Sequence, residues 1–238
     1  VRRLVVVKCG DALASVRERR GDYEDWILGG MGLARARALV AAVGEGAALP
    51  DPSRLSAAVV TGSSAMVSAR EPWSERTAAW LREVALAGVP VLGICYGHQL
   101  LAHALGGRVA PNPRGREIGT VDVELLAAAR ADPLLSGLPV RFPAQATHVE
   151  SVLELPAGAT LLASSCGDPH QAFRVGAHAW GVQFHPEFDA DVIRAYLEAR
   201  REDLLREGRD PESLLAAVRE SAHASGLLLR FAALAALD

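Results

Sequence analysis

Residues 91–99 read V-L-G-I-C-Y-G-H-Q. A short apolar run stops at Cys95, and glycines stand two positions to either side, at Gly93 and Gly97. G-x-C-x-G, at the point where a strand gives way to a helix, is the cysteine form of a nucleophile elbow. A nucleophile on so sharp a turn sits in a strained backbone. The glycines remove side chains that would strike the neighbouring strand and helix. The following helix would aim its unpaired N–H groups at the sulfur, where negative charge develops. The Tyr96 N–H is then placed to bind an oxyanion on an attacked carbonyl. Read by itself, the same pattern also fits a small buried cysteine.

The flanking sequence supplies the frame. Residues 4–7 form a continuous Val-rich run, the pattern of a strand buried on both faces. Residues 31–43 have helical spacing and end at Gly44. Residues 57–61 read as a second buried strand, closing at Gly62-Ser63-Ser64. Ser74 is the expected cap of a helix running to Ala87, and residues 89–94 form the strand that delivers Cys95. A helix over 97–105 follows. Alternation of strand and helix implies right-handed crossovers and an α/β fold with a central, mostly parallel sheet flanked by helices.

From 109 to 152 the texture changes. Alternating runs such as 118–125 predict antiparallel strands at the sheet edge. Residues 159–163, 171–175 and 178–184 are further strands, the last two joined by a tight turn at Gly176-Ala177. Helices are expected over 190–206, 211–222 and 227–236, with Asp210 capping and Pro211 in the first helical position. The length of 238 residues fits one domain over 1–238, with a core over 1–190 and a helical extension over 191–238.

Composition narrows the function. Half the residues are hydrophobic, enough for a real core, and the net charge of −3 gives no basic footprint for nucleic acid. Three widely spaced cysteines, Cys9, Cys95 and Cys166, argue against a disulfide framework and for a reducing, cytoplasmic compartment. No apolar run is long enough to span a bilayer, and the opening VRRLVVVKCG reads as a first strand, not a signal peptide. No histidine, cysteine and carboxylate set has zinc spacing, and no phosphate-binding glycine loop is present, so neither metal nor cofactor is expected.

A thiol nucleophile needs a proton shuttle. Of seven histidines, His185 follows a strand, at the carboxyl end where sites gather in open α/β sheets. Pro186 stops the strand, and Glu187 lies close enough to hold the imidazole tautomer. Alone, His-Pro-Glu would also fit an ordinary strand-to-helix turn.

Together, G-I-C-Y-G-H-Q and G-V-Q-F-H-P-E, whose Cys95 and His185 are 90 residues apart, resemble the class I, triad-type glutamine amidotransferases. The resemblance covers most of residues 4–190. It implies a sheet flanked by helices and a site residue by residue. Cys95 would attack the γ-carbonyl of a glutamyl amide, His185 would move the proton, and Glu187 would orient His185. A thioester would form and be hydrolysed. Tyr96 would give one oxyanion N–H and Gly62 or Ser63 the second, although this chain has Thr61-Gly62-Ser63 where many members have Gly-Gly-Pro. Gln99 would contact the glutamine. The backbone of Thr147-His148-Val149 would hold its α-amino and α-carboxylate groups. For Gln99 a solvent-facing position and for His148 a structural turn remain open.

Family members usually feed ammonia to a synthetase. About fifty residues follow Glu187, too few for such a domain, so the resemblance implies a separate synthetase partner or action alone. The Cys9-Gly10-Asp11 opening, Thr61-Gly62-Ser63 and residues 148–156 (HVESVLELP) resemble a stand-alone, GMP-synthetase-like branch that includes γ-glutamyl peptidases of plants. Three functions stay open: a glutaminase or amidotransferase, a hydrolase of larger γ-glutamyl amides such as glutathione-like peptides, and a non-catalytic regulatory member. A thiol α/β-hydrolase is disfavoured, because that fold places its acid before its histidine in the chain.

Overall fold

The computed structural model describes residues 2–237; Val1 and Asp238, the outermost residues of the expected domain, lie outside that range. Its centre is a nine-stranded sheet. The parallel half comprises β1 (Arg3–Lys8), β2 (Ala38–Ala42), β3 (Leu55–Val60), β4 (Val91–Ile94) and β11 (Ala179–Val182), in the order β2-β1-β3-β4-β11. The antiparallel half continues through β10 (Ala172–Val175), β9 (Thr160–Ser164), β6 (Glu117–Leu125) and β7 (Arg141–His148). A separate ribbon pairs β5 (Arg108–Pro111) with β8 (Glu150–Glu154).

Strand alternation builds two cores. Leu4, Val6, Ala57, Val59, Leu92 and Ile94 face one, and Val5, Val7, Ala58, Val60 and Val91 face the other. The first is covered by α1 (Ala14–Arg20), α2 (Tyr23–Gly30), α5 (Ala190–Ala199) and α8 (Ala222–Leu234). The second is covered by α3 (Pro72–Leu86) and α4 (Tyr96–Ala104). This is the α/β architecture expected, with the continuous apolar runs buried on both faces.

Several local expectations are corrected. Among the described residues no α-helix covers 31–43, where a 3-10 turn at Arg35–Arg37 leads into a strand. The helix lies upstream as α2, where Asp22 and Asp25 form a reciprocal capping box, and it ends at Gly29-Gly30. Residues 38–42 instead form β2, paired in parallel with β1 from Leu4↔Ala38 to Lys8↔Ala42. Alanine fits both periods, and strand pairing decided between them. Ser74 does not cap α3. Glu71 occupies that position with Pro72 as the first helical residue, and Ser74 is buried in the first turn, where Tyr96 Oη donates to it at 2.6 Å. The expected helix over 190–206 breaks at Arg200 into α5 and α6 (Arg201–Arg206). The next is the short α7 (Pro211–Ala216), with Asp210 capping as expected, and α8 begins at Ala222, earlier than its spacing indicated.

Candidate active site

β4 and β11 are parallel neighbours, with Val182 opposite Ile94. Each delivers one candidate residue from its carboxyl end: Cys95 directly, and His185 three residues beyond Val182. β3, on the other side of β4, delivers Thr61-Gly62-Ser63, and the end of β7 delivers Thr147-His148. The His185 N–H donates to the Gln145 carbonyl at 2.7 Å, which ties the histidine backbone to β7. Four chain segments distant in sequence therefore converge on one point.

Cys95 has φ 51° and ψ −101°, a left-handed conformation that non-glycine residues rarely adopt. A Cβ on Gly93 would fall well under 3.0 Å from the Gly97 carbonyl, and one on Gly97 equally close to the Val60 carbonyl. Both glycines are therefore required by close approach of backbone, as the elbow pattern predicts.

His185 is buried, and its Nδ1 lies 2.8 Å from Glu187 Oε1. Its Nε2 has no hydrogen-bond partner among the described residues. Phe188 stacks on the ring with centroids 4.1 Å apart and planes 19° apart; Tyr23 stacks more loosely at 6.4 Å. Burial alone would lower the imidazole pKa. The Glu187 charge, with help from Cys95, overcomes it and raises His185 to about 10.

A cavity of about 330 Å³ opens over Cys95. Cys95, Tyr96, Gln99, His185 and 147–149 all line it. Ser63 and Ser64 form part of its wall, whereas Gly62 sits against His185, where a Cβ would reach Cε1 at 3.0 Å. Gln99 is buried, not solvent-facing, and its Nε2 donates to the Glu150 carbonyl at 2.7 Å and to Gln183 Oε1 at 3.0 Å. The His148 side chain turns away into the protein. Its Nδ1 meets the Glu150 carbonyl at 2.9 Å and its Nε2 meets Glu117 Oε2 at 2.8 Å. Burial opposes charge on both partners, but their mutual attraction wins: Glu117 titrates below the usual carboxylate range and His148 above the usual imidazole range. The His148 ring is thus held by Glu150 and Glu117, and the residue lines the cavity.

Sequence reasoning missed the second half of the wall. Tyr23, Tyr196 and Arg200 line the cavity, and the Tyr23 and Tyr196 hydroxyls lie 2.8 Å apart. Burial pushes Tyr196 up to about 12 and raises Tyr23 well above the usual phenol range, so both are neutral near pH 7. Phe188 could have been flagged by its place next to Glu187. Tyr196 and Arg200 carry no such signal, because in the helix expected over 190–206 they read as core and surface. No group of three or more His, Cys, Asp or Glu side chains among the described residues is arranged to hold a metal ion.

The class-I glutamine amidotransferase family model matches residues 59–200. The chain belongs to this family. Among its relatives, the glutamine-hydrolysing GMP synthase of Thermomicrobium roseum is 45% identical over 125 residues, 52% of this chain and 22% of that protein. The enzyme of the same name from Aeropyrum pernix is 41% identical over 142 residues, 60% of this chain and 25% of that one. The match thus spans a quarter or less of these relatives' length. A solved glutamine amidotransferase from Thermotoga maritima superposes over the whole of both chains with TM-score 0.77 at 24% identity. Another, from Methylobacillus flagellatus, gives 0.75 at 21% identity, covering 99% and 93% of the two chains. These likenesses establish the fold of this class-I amidotransferase domain.

Proposed function

We propose that this chain hydrolyses a γ-glutamyl amide, with glutamine giving glutamate and ammonia, through a thioester on Cys95. One observation carries the reading. A cysteine on a strained elbow shares a cavity with a buried histidine whose Nδ1 is held by a buried carboxylate. His185 takes the Cys95 thiol proton and, with its pKa raised beside Glu187, holds it, so that the attacking sulfur is a thiolate and His185 is the acid. The Cys95 sulfur attacks the γ-carbonyl carbon, and the oxyanion accepts from the Tyr96 N–H and an N–H at Ser63 or Gly62. As the C–N bond breaks, the amine leaves with the His185 proton. Water then adds to the thioester, giving its proton to His185, and the C–S bond breaks. Gln99 and the backbone of 147–149 would hold the glutamyl group.

The test is glutamate release by the purified chain from glutamine and, separately, from γ-glutamyl peptides, with Cys95→Ala as the blank. Silence on both substrates would favour a non-catalytic member or a site completed by a partner. The names of the GMP synthase relatives support a synthetase as the ammonia acceptor. Shared burial supports one domain: Ile193, Leu197, Leu228 and Phe231 of the C-terminal helices lie in the same core as Leu4 and Leu92. Among the described residues no helix is long and apolar enough to cross a membrane, and all three cysteines are free, which supports a reducing, cytoplasmic setting.

Glu187→Gln should lower kcat by about 10²- to 10⁴-fold, less than loss of the nucleophile, because orientation of His185 is only part of the effect. Steady-state kinetics on glutamine would show this, and a loss equal to that of Cys95→Ala would mean that Glu187 does more than orient.

The same pair sets a pH dependence of stability. His185 binds its proton more tightly in the folded chain than unfolded, where its value is 6.5. Its contribution is complete below that value and is lost as pH rises through about 10. Between these limits the melting temperature should fall more steeply with pH in the wild type than in Glu187→Gln. Parallel curves would show that Glu187 does not hold the proton.

A further inference from the structure

We propose that Arg200 receives a carboxylate carried by the leaving amine, so that the preferred substrates are γ-glutamyl amino acids or peptides. The inference rests on the hydrolase reading above and names its substrate class. His185 must give its proton to the leaving nitrogen, so that nitrogen lies beside His185. From there the wall continues through Tyr23, stacked on the ring, to Tyr196, whose hydroxyl is 2.8 Å from that of Tyr23. Arg200 comes just past the end of α5, and its N–H donates to the Tyr196 carbonyl at 3.0 Å. All four residues line the same cavity. Glutamine alone leaves this stretch unused, since its leaving group is ammonia. A volume of about 330 Å³ is in the range of sites for larger ligands.

Charge along the wall singles out Arg200: Glu150 also lines it, but it is buried, of the opposite sign, and accepts from the Ser68 N–H at 3.3 Å. Asp11 also lines the cavity, but Lys8 at 2.8 Å and Arg17 at 2.6 Å neutralise it. Arg116 lines it too, yet Glu207 holds its guanidinium, with Nε at 3.0 and 3.2 Å from the two carboxylate oxygens. Among the described residues the one ion pair of Arg200 is with Asp203 at 3.8 Å, and Asp203 is shared with Arg206. Its side chain is 38% exposed, open to an incoming group. A guanidinium fork so loosely held can take a carboxylate through two parallel hydrogen bonds. The balance is that of hydrolysis. The γ-glutamyl C–N bond breaks and nitrogen takes the His185 proton. The amino acid or peptide leaves with its carboxylate intact, and water supplies the oxygen that releases glutamate from sulfur.

The same chemistry could recognise the α-carboxylate of the glutamyl group, and the substrates separate the two. We would measure kcat/KM on γ-glutamylglycine, on γ-glutamylethylamide, which lacks the second carboxylate, and on glutamine. The wild type should favour γ-glutamylglycine over the ethylamide about tenfold or more, the worth of a charged hydrogen-bond pair. Arg200→Gln should erase that ratio through KM, and Arg200→Lys should keep part of it. No preference in the wild type, or a preference that survives Arg200→Gln, overturns the proposal. An equal fall on all three substrates also overturns it, assigning Arg200 to the α-carboxylate. Calorimetric binding to Cys95→Ala reads the same preference without turnover. Tighter binding of γ-glutamylglycine by a chain whose wild type hydrolyses nothing would sink the hydrolase reading and keep the Arg200 site; equal binding of both ligands removes the site.

Discussion

Cys95→Ala is expected to reduce glutamate release at least about 10⁵-fold while the chain stays folded, because the proposed acyl bond forms on its sulfur. Cys95 lines the cavity, and its Sγ donates to the Thr147 carbonyl at 3.8 Å. Truncation to alanine therefore removes little packing, and the melting temperature should barely move. Intact-protein mass spectrometry after acid quench gives an independent readout. The wild type should show a glutamyl adduct during turnover and Cys95→Ala none. Wild-type-level release by the variant would remove Cys95 from the mechanism, and an adduct that persists in it would place the acyl group elsewhere.

The reason this outcome could be anticipated from sequence is local. Gly93, Cys95 and Gly97 are constrained by backbone approach within a few residues and one neighbouring strand, so the motif carries its own geometry. His185 and Glu187 are likewise close in sequence, and their 2.8 Å contact needs only a strand end and a proline. The sheet was legible for a related reason: strands buried on both faces must be nearly continuous in apolar residues, and 4–7, 57–61 and 91–94 are. What stayed hidden depends on long-range packing. Residues 31–43 are alanine-rich, so their period does not separate helix from strand. Only pairing with β1 makes β2. Glu117 meets His148 because β6 and β7 place them opposite each other, a register that alternation alone does not fix. Tyr23, Tyr196 and Arg200 reach the cavity only because α2 and α5 pack on the same core. The parts of the site set by backbone strain could be read from sequence, and the parts set by helix docking could not.

Backbone strain also gives the second large effect. Gly97→Ala should destabilise the chain by roughly 3 kcal/mol or more and abolish the elbow geometry, since overpacking against backbone has no flexible side chain to yield. The new Cβ would meet the Val60 carbonyl, carbonyl carbon and Cβ, all under 3.0 Å. Val60 ends β3, whose partner strands β1 and β4 carry the parallel half of the sheet, so the strand cannot withdraw without breaking pairs on both sides. Relief must come from α4 moving outward, and α4 begins at Tyr96. Movement there displaces the Tyr96 N–H and changes the turn that holds Cys95 at positive φ. Activity should fall by a larger factor than stability alone explains, even at temperatures where the variant is folded. Gly29→Ala is the control. It lies in α2 with nothing within 4 Å of its added Cβ, so helix propensity should leave it neutral or stabilise it by about 0.5–1 kcal/mol. Thermal melts of the two variants, with glutamate release measured below both transitions, decide the matter. If Gly97→Ala melts with the wild type and turns over normally, the close approach of α4 to β3 is not what shapes the nucleophile's turn.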